Sequence, residues 1–245
     1  MSWNSAGTGG RWNRTDGWTR PPSTATTSRS GRCWRVCSPD VDAAAIHRNH
    51  QPIWAVLARL LTGRSGDVME AGSGTGQHIV QFASERPDLV WWPSDLNDSH
   101  LKSIAAWRKH AGLANIRDVQ RIDLADPGWV AAFQAAGGPA SLSAIFCANV
   151  IHIAPWSVAE GLFAGAGRLL SPDGLLVLYG PFKRDGKHTA VSNAVFDTSL
   201  REGNPQWGVR DIADVAALAA RHGLALRETV EMPANNMILV FARGS

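Results

Sequence analysis

The sequence predicts an α/β fold: a mixed sheet of about seven strands, helices on both faces, and an antiparallel hairpin at the C-terminal end. Three observations carry the prediction. Between residues 67 and 180, short apolar runs alternate with segments of helical period, the pattern of a parallel sheet. A glycine-rich turn, "MEAGSGTGQH", joins the first apolar run to the first following helix. The last two apolar runs, "LALRETVEM" and "NMILVFAR", are separated only by "PAN", and a connection that short joins antiparallel strands.

In chain order, residues 1–38 read as a disordered extension. They are rich in Ser, Thr, Gly and Arg, and their four Trp follow no period. The folded domain is expected over 39–245. "DAAAIHRNHQPIWAVLARLL" spaces Ile46, Ile53, Trp54, Leu57, Leu60 and Leu61 as a helix, which Pro52 should kink and Gly63 should end. Strands follow at 67–71, 89–95 (ended by Pro93), 116–123, 141–149 and 174–180. Helices fall at 76–86, 98–112 (with Leu101, Ile104, Ala105 and Trp107 inward), 127–137 and 155–170. "KRDGKHT" (183–189) reads as a polar loop, and 192–202 and 212–223 as two further helices.

Charge excludes some functions. Residues 1–40 carry six Arg and two Asp, whereas the rest carries 18 basic and 19 acidic residues. The high pI therefore belongs to the extension, and no nucleic-acid groove is expected. No apolar run approaches the ~20 residues of a membrane span, so no membrane partner is expected either. Cys33, Cys37 and Cys147 form no disulfide pattern and fit a reducing, cytoplasmic setting. No metal-ligand cluster is found.

The strongest chemical signal is Glu70-Ala71-Gly72-Ser73-Gly74-Thr75-Gly76. Glycines at a strand–helix turn permit positive φ and let backbone N–H groups approach a ligand closely. Counted as a dinucleotide fingerprint from Gly72, the last position is Gln77, too large for the helix–strand contact required there. The acidic-x-Gly-x-Gly-x-Gly order instead resembles the class I methyltransferase superfamily, a Rossmann-like fold that binds S-adenosylmethionine. That resemblance sets Glu70 near the methionine end of the cofactor, where a sulfonium and an ammonium favour a carboxylate. Asp95 ends the second strand, 19 residues after Gly76, where a carboxylate can accept both ribose hydroxyls. Asp123 ends the third strand, and the resemblance places it against the adenine amino group, with Leu96 and Leu124 beside the two acids. Two other readings of the loop stay open: NAD in the same crevice, and a tight turn without a ligand.

"CANVIHIAPW", "YGPFKRDGKHTAVSNAVFD" and "EMPANNMILVF" sharpen the resemblance. With "SGTGQH" and "WWPSDLN", they make the chain similar to the methyltransferase-like 26 family, a domain-of-unknown-function family, from about His47 to Arg243. His47 stands where that family's opening "ERN…PIL" segment usually has Glu. Methyl transfer asks mainly for orientation and exclusion of water, sometimes for a base. The candidate catalytic residues are His152, Asn149 (also a cofactor contact) and Tyr179, the single tyrosine, at the ends of the fourth and fifth strands. Each also has a structural reading, as a loop or core residue. Arg48, Asn49, His152, Pro181, Lys183, Lys187, His188 and Asn235 are the candidates for holding an acceptor. The expected acceptor is a small molecule, and the rival function is a cofactor-binding interaction protein without turnover.

Overall fold

The computed structural model describes residues 44–244. The extension read as disordered, with Cys33 and Cys37, lies outside the described residues. Seven strands form one sheet in the order β3-β2-β1-β4-β5-β10-β9. Strands β1 (Gly66–Ala71), β2 (Leu89–Asp95), β3 (Gln120–Arg121), β4 (Leu142–Ala148) and β5 (Leu170–Gly180) run parallel. Strands β9 (Leu224–Met232) and β10 (Asn236–Arg243) add the antiparallel hairpin. The expected architecture is the observed one, and the order reverses between β1 and β4, the switch point at which α/β sheets bind ligands.

Strand alternation divides the core between the two faces. Met69 and Ala71 of β1 face α4 (Trp129–Ala135), α5 (Trp156–Leu169) and α7 (Ile212–Arg221), which bury Phe133, Phe163 and Leu218 there. Val68 faces α1 (Ala44–Leu60) and α2 (Gln77–Glu85), whose Ile53, Leu57, Ile79 and Phe82 are fully buried. Each such side chain contributes about 1.5–3 kcal/mol by leaving water. Helix α3 (Asp98–Ala111) buries Ile104 and Trp107 as expected, but Ala105 is exposed and Leu101 half-buried.

Several boundaries differ from expectation. Pro52 lies inside α1, which continues through it. Pro93 lies inside β2 and does not end it. The neighbouring bonds explain this: Trp91 N donates to Asn115 O, and Asp95 O accepts from Ile122 N, so odd-numbered residues of β2 face the β3 side. There β3 touches β2 only at Ile116 and at Gln120–Arg121, leaving a gap in the ladder opposite Pro93's missing N–H. The strand expected over 116–123 thus shrinks to two residues and a bridge. The helix expected from Pro127 begins at Trp129.

The expected loop at 183–189 is a hairpin: β6 (Phe182–Arg184) pairs with β7 (Lys187–His188). Asp185 and Gly186 both have positive φ (50° and 74°), the backbone a two-residue Asp-Gly turn requires. Strand β8 (Arg210–Asp211) completes a small three-stranded sheet, and α6 (Val191–Gly203) lies between them in sequence.

Candidate functional site

The glycine loop leaves the carboxyl end of β1. Gly72, Gly74 and Gly76 all have positive φ, at 75°, 55° and 85°. A Cβ on Gly72 would meet Val150 Cγ2 at 2.4 Å, and one on Gly76 would meet Ile104 Cα at 2.9 Å. These two glycines let the loop pack against the β4 end and α3. Gly74 differs: a Cβ there would meet nothing within 4 Å, so its outer face is open. Ser73 and Ser94 tie the loop down: Ser73 N donates to Ser94 O (2.7 Å), and Ser94 Oγ donates to Glu70 O (2.9 Å). Ser103 Oγ donates to Thr75 O at 2.9 Å.

Two carboxylates flank the loop. Glu70 is 2% exposed, and its Oε2 has no hydrogen-bond partner. Burial pushes its pKa up to about 8, with Ser73 opposing and the charge of Asp95 adding. Asp95 accepts from Gly74 N through Oδ2 (2.9 Å) and from Asn97 N through Oδ1 (2.9 Å), with His100 Nδ1 3.2 Å from the same Oδ1. Asp95 therefore braces the loop, and Oδ2 keeps a lone pair directed elsewhere. Leu96 is 53% exposed, unusual for a leucine at a strand end. Asp123 is exposed and accepts from Ala125 N, a local turn contact, and Leu124 is buried.

On the β4–β5 side, Asn149 is exposed with φ 60°, and its N–H donates to Tyr179 O at 2.8 Å. A side-chain-bearing residue held in the left-handed region at a strand end is a feature of functional edges. His152 is 1% exposed, and neither ring nitrogen has a partner of hydrogen-bonding geometry. Burial, then the Arg210 charge, pushes its pKa down to about 3, against opposing pulls from the Gly208 backbone and Asp197. Its ring packs edge-on to Phe182, and a Cβ on Gly180 would meet its Nε2 at 2.5 Å. A neutral, enclosed imidazole of this kind is a poor proton acceptor. Tyr179 is buried, and its hydroxyl accepts from Asn236 Nδ2 (2.9 Å) while burial raises its pKa. Pro181, two residues further on, is buried as well.

The residues matched to an anionic acceptor are held differently. Lys183 Nζ and His188 Nε2 lie 2.8 and 3.2 Å from Asp197 Oδ2. Asp197 Oδ1 also takes Arg201 Nε (3.2 Å) and Val209 N (2.7 Å). Lys187 is exposed. Asn235, with φ 59°, donates to Ser192 Oγ and accepts at its carbonyl from Asn193 Nδ2, joining the hairpin turn to α6. Asn49 is half-buried in α1, and the Arg48 side chain lies outside the described residues.

Residues 41–243 match the family described as "protein of unknown function (DUF938)". The chain belongs to the DUF938 family. Solved structures similar to this DUF938 protein include an O-methyltransferase family protein from Burkholderia thailandensis, at 18% identity and TM-score 0.68, with 82% of this chain and 58% of that one covered. NcsB1, an O-methyltransferase from neocarzinostatin biosynthesis in complex with S-adenosylmethionine and 2-hydroxy-5-methyl naphthoic acid, matches at 17% and 0.61, covering 82% and 55%. The pyocyanin biosynthetic protein PhzM matches at 17% and 0.61, covering 79% and 55%. The DUF938 chain spans little more than half the length of these proteins, and the likeness gives it the Rossmann-like class I methyltransferase fold. No helix among the described residues is long and apolar enough to cross a membrane.

Sequence reasoning about this DUF938 chain missed four residues. His50 and His78 bond to each other beside the loop, Asp197 gathers the cations, and Arg210 donates to the carbonyls of Ile151, Ala154 and Gln206. One signal was available: His50 and His78 sit on the same helical stripes as Ile53 and Phe82, positions where an apolar residue is expected. Two clefts also stand apart from the glycine loop. One of about 260 Å³, lined by Ser65, Asp67, Ser143 and Asp173, opens at the amino ends of the strands, the edge away from the switch point. The other, of about 540 Å³, lies between the small sheet and α7; of its cations, Lys183 and Arg201 pair with Asp197, Arg221 with Glu160, and Arg210 donates to backbone carbonyls.

Proposed function

We propose that this protein is an S-adenosylmethionine-dependent methyltransferase acting on a small-molecule acceptor, and that it is a methyltransferase-like 26 member of the DUF938 family. The observation that carries the reading is the unpartnered buried Glu70 Oε2 beside the open face of Gly74. A buried acceptor left without a donor costs about 1–3 kcal/mol, so it fits a ligand that brings one. The residues present suit this cofactor: an ammonium fits Glu70, a ribose diol the remaining lone pair of Asp95, and an adenine edge Leu96 and Asp123. The NcsB1 complex, of the same fold, holds that cofactor.

Bound there, the cofactor supplies a methyl group already activated on a sulfonium. The protein's own work is then binding and orientation. Glu70 loses its proton as a cation arrives, because an opposite charge offsets the burial that keeps it neutral. The Gly74 amide, fixed by Asp95, sets the distance between loop and ligand. Asn149, exposed and left-handed, with its Oδ1 close to Gly180, is the polar side chain at the end of β4 offered to an acceptor. His152 packs against Gly180 and takes no proton. Alignment of acceptor and methyl, without a base, supplies the rate.

The test is equilibrium binding followed by labelling. S-adenosylhomocysteine should bind at micromolar concentration or tighter, and NADH should give no signal. Isotopically methyl-labelled cofactor, incubated with a metabolite extract, should mark a small molecule. NADH binding without S-adenosylhomocysteine binding overturns the proposal.

A further inference from the structure

Helix α2 begins at the glycine loop with an unusual start. Its N-cap is Gly76, in the left-handed region, with no side-chain cap. Gly76 packs on Ile104 and Ser103 Oγ donates to Thr75 O, so α3 holds the start of the helix, and a second contact, from α1, reaches its first turn. The second residue of the helix is His78, 9% exposed. Its Nδ1 lies 3.1 Å from Nδ1 of His50, 4% exposed, on α1. One Nδ1 carries the proton and the other accepts it, so each ring is in a defined tautomer.

The surroundings are aromatic. The His50 and His78 rings are within 20° of parallel, and both stack on Phe82, which stacks in turn on Trp54. Two phenyl rings would fill such positions as well as two imidazoles do. What the imidazoles add is direction: a hydrogen bond holds at one distance and angle, whereas apolar contact lets the helices slide. The bond joins α1 to α2 at the residue two beyond Gly76. Burial, with the His50 charge adding, holds the His78 pKa down to about 4.

We propose that the His50–His78 hydrogen bond is a positioning device, which latches the leading helix α1 to the first turn of α2 and so holds the glycine loop in its binding form. Both histidines act through the backbone from Gly76 onward. The cofactor's identity rests on the proposed function, but the latch itself does not.

Two variants separate hydrogen bonding from packing. His50→Phe keeps the ring stack and removes the bond. His50→Asn loses the stack but returns an amide to about the place of Nδ1. A latch gives opposite orders. S-adenosylhomocysteine affinity should fall about tenfold in His50→Phe and stay within about threefold in His50→Asn, the size of one buried hydrogen bond. The Tm of His50→Phe should equal or exceed that of His50→Asn. Amide exchange of Gln77–Val80 in the ligand-free protein should speed up in His50→Phe only. Affinity that follows Tm across both variants overturns the latch in favour of simple packing. If the wild type binds no S-adenosylhomocysteine, the cofactor reading fails, and amide exchange decides the latch alone: faster exchange in His50→Phe supports it, unchanged exchange overturns it.

Discussion

The glycine loop and the Asp197 cluster sit at the ends of neighbouring parts of the fold, and they treat charge in opposite ways. At the loop, Glu70 is buried with an oxygen unpartnered, and the backbone at Gly74 opens outward. Around Asp197, a lysine, a histidine, an arginine and a backbone N–H converge on one carboxylate. The first region leaves polar capacity unspent, which a ligand can use. The second spends its carboxylate on groups of the fold, tying the β6–β7 hairpin to α6 and to the segment before β8, although Nδ1 of His188 has no partner. In sequence the first is a glycine-rich turn with a single acid, and the second is a charged segment at 183–189 whose carboxylate, Asp197, lies further along the chain.

Mutations should widen this contrast. The largest effect is expected at Asp197. Asp197→Ala leaves the buried Val209 N–H and the partly buried Lys183 without their acceptor and should cost about 3 kcal/mol by urea unfolding. S-adenosylhomocysteine affinity should stay within about twofold, and a parallel loss of affinity would merge the two regions. Gly74→Val should do the reverse. Its side chain enters open space, so the fold survives a backbone cost of about 1–2 kcal/mol for a left-handed β-branched residue. Affinity should drop at least about 100-fold, or 2.7 kcal/mol. A folded variant with normal affinity would misplace the loop.

Next comes Glu70→Gln, with a loss of about tenfold in affinity, or ~1.4 kcal/mol. In the wild type, affinity for a cationic ligand should rise with pH toward about 8, because Glu70 must ionise to receive it. Titration calorimetry in two buffers near pH 7 should detect proton release, absent in the variant.

Stability carries the same signature with the opposite sign. Folded Glu70 keeps a proton that the unfolded chain has lost above about 4.5, so this group's contribution is full below pH 4.5 and fades as pH rises to about 8. His78 and His152, lowered to about 4 and 3, act the other way. Their stabilisation is complete above pH 6.5 and is lost as pH falls through that interval. Together the three groups favour a stability maximum near pH 6.5. Unfolding from pH 4 to 9 should show it, and Glu70→Gln should flatten the alkaline limb. The smallest effect belongs to Lys187→Ala. This exposed side chain should change stability by less than about 0.5 kcal/mol and leave cofactor affinity unaltered.

Legibility in the sequence followed the reach of the interactions. The strand–glycine–helix unit at 66–85 was readable because its signal is local: a buried run, three left-handed positions and a helical stripe are contiguous. The closing hairpin was readable for the same reason, through alternation and a short turn. Strand β3 was overestimated, since a gap in pairing opposite Pro93 is a property of two strands together. The β6–β7 hairpin was local and still missed, because Asp185-Gly186 stood among charged residues and not between apolar runs. Lys183 and His188 were matched to an anion by charge alone, and their partner Asp197 lies 14 and 9 residues further on. His152 looked like a base by its residue type; its depth and its distance from solvent belong to the packed fold.

By itself the sequence determined the fold class, the order of its elements and the left-handed glycine turn after the first strand, because periodicity, glycine conformation and turn chemistry act between residues close in the chain. The tertiary structure alone decided which polar groups are spent and which are spare. Burial, partner and pKa depend on atoms that folding brings from far along the chain, and no local pattern of residues records where they meet.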